Sequence, residues 1–196
     1  MTPELIQTSP KLSTLDREWL KIIPRIADGD EAALSEFYDG TSGLVYSLAI
    51  RILSDKSEAE DVTIEVYMQV WDKASDYDPD KSSPSAWLMM LTRSRAIDRL
   101  RNRSKMNLVE GYEEGDHSNP NSGPEEITVA GQQRKIVQNA LGKLAPQQRR
   151  AIELAYFYGL SQSEIAREMD QPLGTIKSWI RFGMIKLRDS LSIIDE

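Results

Sequence analysis

The chain has 196 residues, 40% of them hydrophobic, and a formal net charge of −7, enough to bury one large core or two small ones. It holds no cysteine and one histidine, His117, which excludes disulfides, thiolate chemistry and a histidine cluster for a metal. No run approaches the roughly 20 apolar residues of a membrane span, and the opening MTPELIQTSPKLSTLDREW lacks a secretion signal's basic and apolar segments. A cytoplasmic chain without membrane insertion, cofactor or metal is expected.

Apolar residues recur at helical spacing almost throughout, with no period-two run bounded by turns, so the fold class is all-α. Leu15 to Ile26 reads as a first helix, kinked or restarted at Pro24, followed by a Gly break and by Asp30 as the cap of a second helix from Glu31 to Tyr38. GLVYSLAIRILSD gives a separate apolar helix. Asp55 or Ser57 then caps EAEDVTIEVYMQVWDKA, on which Val62, Val66 and Val70 turn inward together with Ile64 and Tyr67.

That assignment leaves Asp61, Glu65 and Gln69 as an outward stripe at spacing four. Asp61 and Glu65 have no His, Cys or nucleophile near them, so they suit a docking surface for a basic partner better than catalysis. No catalytic residue is expected anywhere in the chain.

DYDPDKSSPS is a loop by composition, and it opens a long helix from Ser85 to about Arg103. At 100° per residue, Ala86, Met89, Met90, Ala96, Ile97 and Leu100 share one arc, while Thr92, Arg95, Arg99, Asn102 and Arg103 gather on another. Arg93 falls on the apolar arc and requires snorkelling or an internal ion pair. Tyr77 and Trp87 are candidates to stack on unpaired bases while arginines hold phosphates, against the alternative of a merely solvated basic face.

Charge is segregated along the chain. Residues 1–83 carry 8 basic against 17 acidic side chains, residues 84–105 carry 6 against 1, residues 106–133 carry 0 against 6, and residues 134–196 carry 10 against 7. The acidic block, VEGYEEGDHSNPNSGPEE, is rich in Gly, Asn and Pro and reads as an interdomain linker. Beyond it come a helix from Ile127 to Leu144 and another from Pro146 through Tyr158.

LSQSEIAREMDQPLGTIKSWIRFGMIKLR then forms two amphipathic segments hinged at DQPLG. Leu160, Ile165, Ala166 and Met169 face inward from the first, and Ile176, Ile180, Gly183 and Leu187 from the second. The pattern suits a DNA-reading helix-turn-helix, or else a structural hairpin with a solvated basic face. In a reader, Thr175, Lys177, Ser178 and Arg181 would point toward the groove, with Arg181 placed for bidentate contact to guanine. Trp179 lies about 160° or more from the Lys177–Arg181 face and is expected to pack against the preceding helices.

AEDVTIEVYMQVWDKASDYDPDKSSPSAWLMMLTRSRAIDRLRNR, followed by the acidic linker and LAPQQRRAIELAYFYGLSQSEIAREMDQPLGTIKSWIRFGMIKLR, resembles the extracytoplasmic-function (ECF) sigma factors of bacterial RNA polymerase. The resemblance covers about residues 25–190, with both signatures in the family's order. It implies a sigma region 2 domain over 25–105 after an N-terminal extension of 1–24, a linker over 106–126, and a region 4 domain over 127–196. The chain is too short for the large extra domains of housekeeping sigma factors.

The implied partners are the clamp and flap of core RNA polymerase, promoter DNA and an anti-sigma factor. Asp61, Glu65, Gln69 and Trp71 would bind polymerase. Tyr77, Trp87, Arg95, Arg99 and Arg103 would take the −10 element, and Thr175, Lys177, Ser178 and Arg181 the −35 element. The chain departs from the family's habit at Ser94, where Asn is usual, and at Trp179 and Phe182, where Arg is favoured.

Its overall negative charge makes it poor at phosphate neutralisation, so DNA binding is expected to wait for assembly with polymerase. A two-domain helix-turn-helix repressor or response regulator is the main alternative. The N-terminal half, however, lacks the alternating strands of a receiver or an α/β sensor. A structural adaptor is the third possibility.

Overall fold

A computed structural model describes residues 13–110 and 138–192. The linker beyond Glu110, His117 and most of the helix expected from Ile127 lie outside these residues. The chain divides into two compact units, residues 1–114 and 115–196, and the described residues form helices and turns with no strand.

The first unit contains α1 (Thr14–Ala27), α2 (Glu31–Leu53), α3 (Lys56–Lys73), a 3₁₀ turn (Ala74–Asp76) and α4 (Pro84–Glu110). Its helix starts are set by side-chain caps. Ser13 accepts from the amide of Asp16, Asp30 from Ala33 and Asp55 from Glu58, each satisfying an amide that has no partner within its helix. Asp16 is itself buried. Its carboxylate accepts from the Ser13 hydroxyl at 2.8 Å, from the Ser85 amide at 2.9 Å and from the Ser85 hydroxyl, so it ties the start of α1 to the first turn of α4.

Three expectations are corrected here. First, α1 does not restart at Pro24, which lies inside the helix; Trp19, Ile22, Ile23 and Ile26 are buried on both sides of it. Second, α2 is one helix where two were expected. Gly40 and Gly43 both lie within it and do not break it. Next to Gly40, the buried Thr41 hydroxyl donates to the Phe37 carbonyl and accepts from Tyr67, 2.7 Å away. Burial pushes the Tyr67 phenol up to about 12.

Third, the buried face of α4 is Leu88, Leu91, Thr92, Ala96, Ile97 and Leu100 together with Trp87, whereas Met90 is exposed and so is Ala86. Thr92 can occupy this face because its hydroxyl donates to the Leu88 carbonyl at 2.8 Å. The helix also continues past Arg103 to Glu110, since SKMNL contains neither Gly nor Pro and the first breaker is Gly111.

The core of this unit centres on Phe37, which is fully buried with Val45, Leu53, Val62, Val66, Val70 and Leu88. Trp19 and Tyr67 meet its ring edge-on, with centroids 5.7 Å and 6.4 Å away. Ile64 is not part of this core. It lies about 200° from both Val62 and Val66 around the helix and is 59% exposed.

In the second unit, residues 138–142 are helical, and α5 (Pro146–Phe157), α6 (Gln162–Glu168) and α7 (Leu173–Ser192) follow. Pro146 stands at the first turn of α5, where its missing N–H costs nothing. Ser161 and Glu164 form a reciprocal capping box on α6. Asp170, at φ 48°, makes the turn into α7.

Ala151, Leu154, Ile165 and Ile176 are buried, with Leu160, Ala166, Met169, Trp179 and Ile180 packed against them. Gly183 lets α7 approach α5 closely: a Cβ there would lie 2.6 Å from Ile152 Cδ1.

Candidate polymerase and nucleic-acid interfaces

The acidic stripe of α3 and the arginines of α4, which the sequence presents as two separate surfaces, face each other. Arg99 Nη2 donates to Glu65 at 2.8 Å and lies 3.7 Å from Asp61. Arg95 donates to Gln69 Oε1 at 3.2 Å, and its Nε is 3.9 Å from Glu65. Arg103 donates to Glu58 at 3.0 Å and to the Leu53 carbonyl at 3.3 Å, satisfying an acceptor in the last turn of α2. The result is a ladder of ion pairs along the α3–α4 seam.

The outward face of α3 is instead apolar. Ile64 and Met68 are 59% and 63% exposed, and half-buried Trp71 lies on the same face at spacing i, i+4, i+7. Asp61 borders this stripe, while Glu65 and Gln69 turn toward α4. The spacing is visible in the sequence, but the inward assignment of Ile64 is corrected by its exposure on this face. Such an apolar row on an otherwise charged helix is the kind of surface that marks an interaction site.

Trp87 is 7% exposed, with its ring tilted against that of Tyr77 at 5.1 Å between centroids. The expectation that it stacks on an unpaired base is therefore corrected: its faces are occupied by protein. Tyr77 is half-buried and donates its hydroxyl to the Ser82 carbonyl at 2.8 Å. Burial, with Asp16 and Asp78 nearby, pushes its phenol up to about 12. Beside it lies a cavity of about 240 Å³ lined by Leu20, Ile23, Pro24, Ala27, Ala74, Ser75, Tyr77 and Pro79.

On α7, Lys177, Ser178 and Arg181 are exposed and Thr175 is half-buried. The Ser178 hydroxyl donates to the Gly174 carbonyl at 2.9 Å, which leaves its oxygen available as an acceptor. Trp179 packs against the core of the unit, as its position on the helix implied. Phe182 is exposed.

Two family models match this chain: sigma-70 region 2 over residues 37–106 and sigma-70 region 4 over residues 134–187. The ECF RNA polymerase sigma factor SigK of Mycobacterium tuberculosis strain H37Rv is 38% identical over 173 residues, covering 88% of this chain and 92% of its own length. SigK of Mycobacterium ulcerans is 37% identical over 171 residues, covering 87% and 91%.

Among solved structures, Rhodobacter sphaeroides SigE in complex with the anti-sigma ChrR is 30% identical, with 89% of this chain and 98% of that chain covered and a TM-score of 0.46. The paired region 2 and region 4 matches define a sigma-70 type transcription factor. On the SigK identities, the chain belongs to the ECF RNA polymerase sigma factors. It is thus a transcription initiation factor, and the repressor and response-regulator alternatives are set aside.

Proposed function

We propose that the first unit docks on the clamp of core polymerase through Ile64, Met68 and Trp71 of α3, with Asp61 at the edge of the contact. The arginines of α4, Arg95, Arg99 and Arg103, hold the strand of the −10 element, and the loop from Tyr77 to Pro84 receives an unstacked base. The cavity beside Tyr77 supports the last step through its size and apolar lining. Its few polar groups favour stacking and shape over reading of the base edge.

The second unit reads the −35 element through Thr175, Lys177, Ser178 and Arg181 and meets the polymerase flap. The observation that carries this assignment is the exposure of Lys177, Ser178 and Arg181 at the start of α7 while Trp179 is turned into the core. Recognition helices lead with their N-terminal turns.

The acidic linker from Glu110 to Glu126 threads a basic channel of polymerase as a mimic of nucleic acid. The chain works in the cytoplasm without catalysis of its own, and no described helix is long and apolar enough to cross a membrane. An anti-sigma factor, membrane-tethered in this reading, holds it inactive by covering both DNA faces; the sequence likeness to SigE, solved with ChrR, supports such a partner.

Permanganate footprinting tests the −10 assignment. Holoenzyme carrying Arg95→Ala, Arg99→Ala and Arg103→Ala is expected to lose thymine reactivity in the −10 region while its thermal melt shows a folded first unit. Wild-type reactivity in that variant would remove these arginines from promoter opening.

A further inference from the structure

The α3–α4 ladder places an intramolecular anion against each arginine assigned to the −10 strand. Arg95 and Arg99 share Glu65, Arg99 also faces Asp61, and Arg103 holds Glu58. Each arginine side chain nevertheless keeps 32–40% of its surface exposed. They are neither buried structural cations nor freely solvated ones. Half-exposed ion pairs of this kind contribute little to stability and are readily exchanged for another anion.

We propose that Glu58, Asp61 and Glu65 act as an electrostatic mask. In the free chain these carboxylates occupy the positions that DNA phosphates take later, and they lower the affinity of α4 for nucleic acid until they are drawn away. The acids that form the mask lie next to the apolar face Ile64–Met68–Trp71. A partner that seats on that face and brings cations to Asp61 and Glu65 competes for the same carboxylates, releasing Arg95 and Arg99 toward DNA. The three acids are positioning residues: they touch neither DNA nor a reacting atom and act only through the arginines.

This inference rests on the reading of α4 as the −10 surface. It also gives the late onset of DNA binding a local cause, in addition to the net charge of −7.

The test is binding of the free full-length chain to a fluorescent single-stranded oligonucleotide across a salt series. The variant Glu58→Gln, Asp61→Asn, Glu65→Gln is compared with a control of equal charge, Glu18→Gln, Glu31→Gln, Asp39→Asn, made at exposed acids outside the ladder. Three unmasked arginines correspond to a log–log salt slope steeper by about 2 and to binding on the order of tenfold tighter at low salt, well beyond the control. Adding Arg95→Ala, Arg99→Ala and Arg103→Ala should abolish the gain.

If the triple variant melts too early for measurement, Glu65→Gln alone, which frees Arg95 and Arg99 in part, should steepen the slope by about 1. A variant that matches the control in affinity and slope, or that binds more weakly than the native chain, overturns the mask. Should holoenzyme carrying Arg95→Ala, Arg99→Ala and Arg103→Ala still lose thymine reactivity in the −10 region in that event, only the mask is rejected and the assignment of the −10 surface stands.

Discussion

Trp71→Ala combined with Met68→Asp is expected to reduce affinity for core polymerase by about 2 kcal/mol or more, roughly thirtyfold. Ile64, Met68 and Trp71 form an apolar row with two exposed members, and truncating an aromatic anchor at the centre of an interface removes contact area that the surrounding polar rim does not replace. A carboxylate at position 68 adds a desolvation cost on binding. Met68 is exposed but Trp71 is half-buried, so the thermal melt of the free chain is read beside the titration, and Met68→Asp alone should leave that melt nearly unchanged while still weakening the contact.

Glu65→Lys is the informative contrast. It breaks two links of the ladder but leaves the apolar row intact, so it should cost less polymerase affinity than the double substitution. Titration of labelled chain with core polymerase ranks the two. A larger loss for Glu65→Lys would return the docking role to the acidic stripe.

The second large effect concerns base reading. Arg181→Ala is expected to lose about 1–3 kcal/mol of specific binding and to relax selectivity at one base pair of the −35 element, because a planar guanidinium meets the O6 and N7 acceptors of guanine in a way that no other side chain here can reproduce. Trp179→Ala should fail differently. Its ring packs on the Ala151–Leu154–Ile165–Ile176 cluster, so the loss should appear as about 1–3 kcal/mol of stability, below the range for a fully buried ring because this one is only partly buried.

Binding of the chain to single-base −35 variants, run beside its thermal melt, separates the two substitutions. An unchanged base preference in Arg181→Ala would remove the proposed reader.

What the sequence displays well is what local chemistry decides. Asp30 and Asp55 were readable as caps because a short oxygen-bearing side chain before an apolar run has few other uses, and Pro146 as a helix start for a similar reason. The orientation of Trp179 followed from helix geometry alone, once the faces of Ile176 and Ile180 were known. The order of the two sigma signatures carried the function.

What was less legible depends on neighbours distant in the chain. The stretch from Tyr38 to Gly43 reads as a gap between two helices, yet α2 runs through it with Thr41 buried against Phe37 and Tyr67. Thr92 reads as polar surface until its hydroxyl finds the Leu88 carbonyl. The inward face of α4 is therefore hidden in the sequence, and with it the burial of Trp87.

The ladder was hidden most completely. Glu58, Asp61 and Glu65 are separated from Arg95, Arg99 and Arg103 by thirty positions or more, and nothing in either segment reveals that α3 and α4 pack side by side with these residues on the shared seam. Each half looked like a free charged surface, and a charged surface invites a partner from outside. The partner of each is the other half.

Run-off transcription by core RNA polymerase tests the central claim most directly. Core enzyme supplied with the purified chain is presented with genomic promoter fragments, and the starts are mapped. The account predicts transcripts from a restricted set of fragments that share a −35 and a −10 sequence, none of them made by core enzyme alone, with the set altered when Arg181→Ala replaces the native chain. Transcription no different from that of core enzyme alone, with the chain binding duplex DNA tightly and specifically by itself, would contradict it.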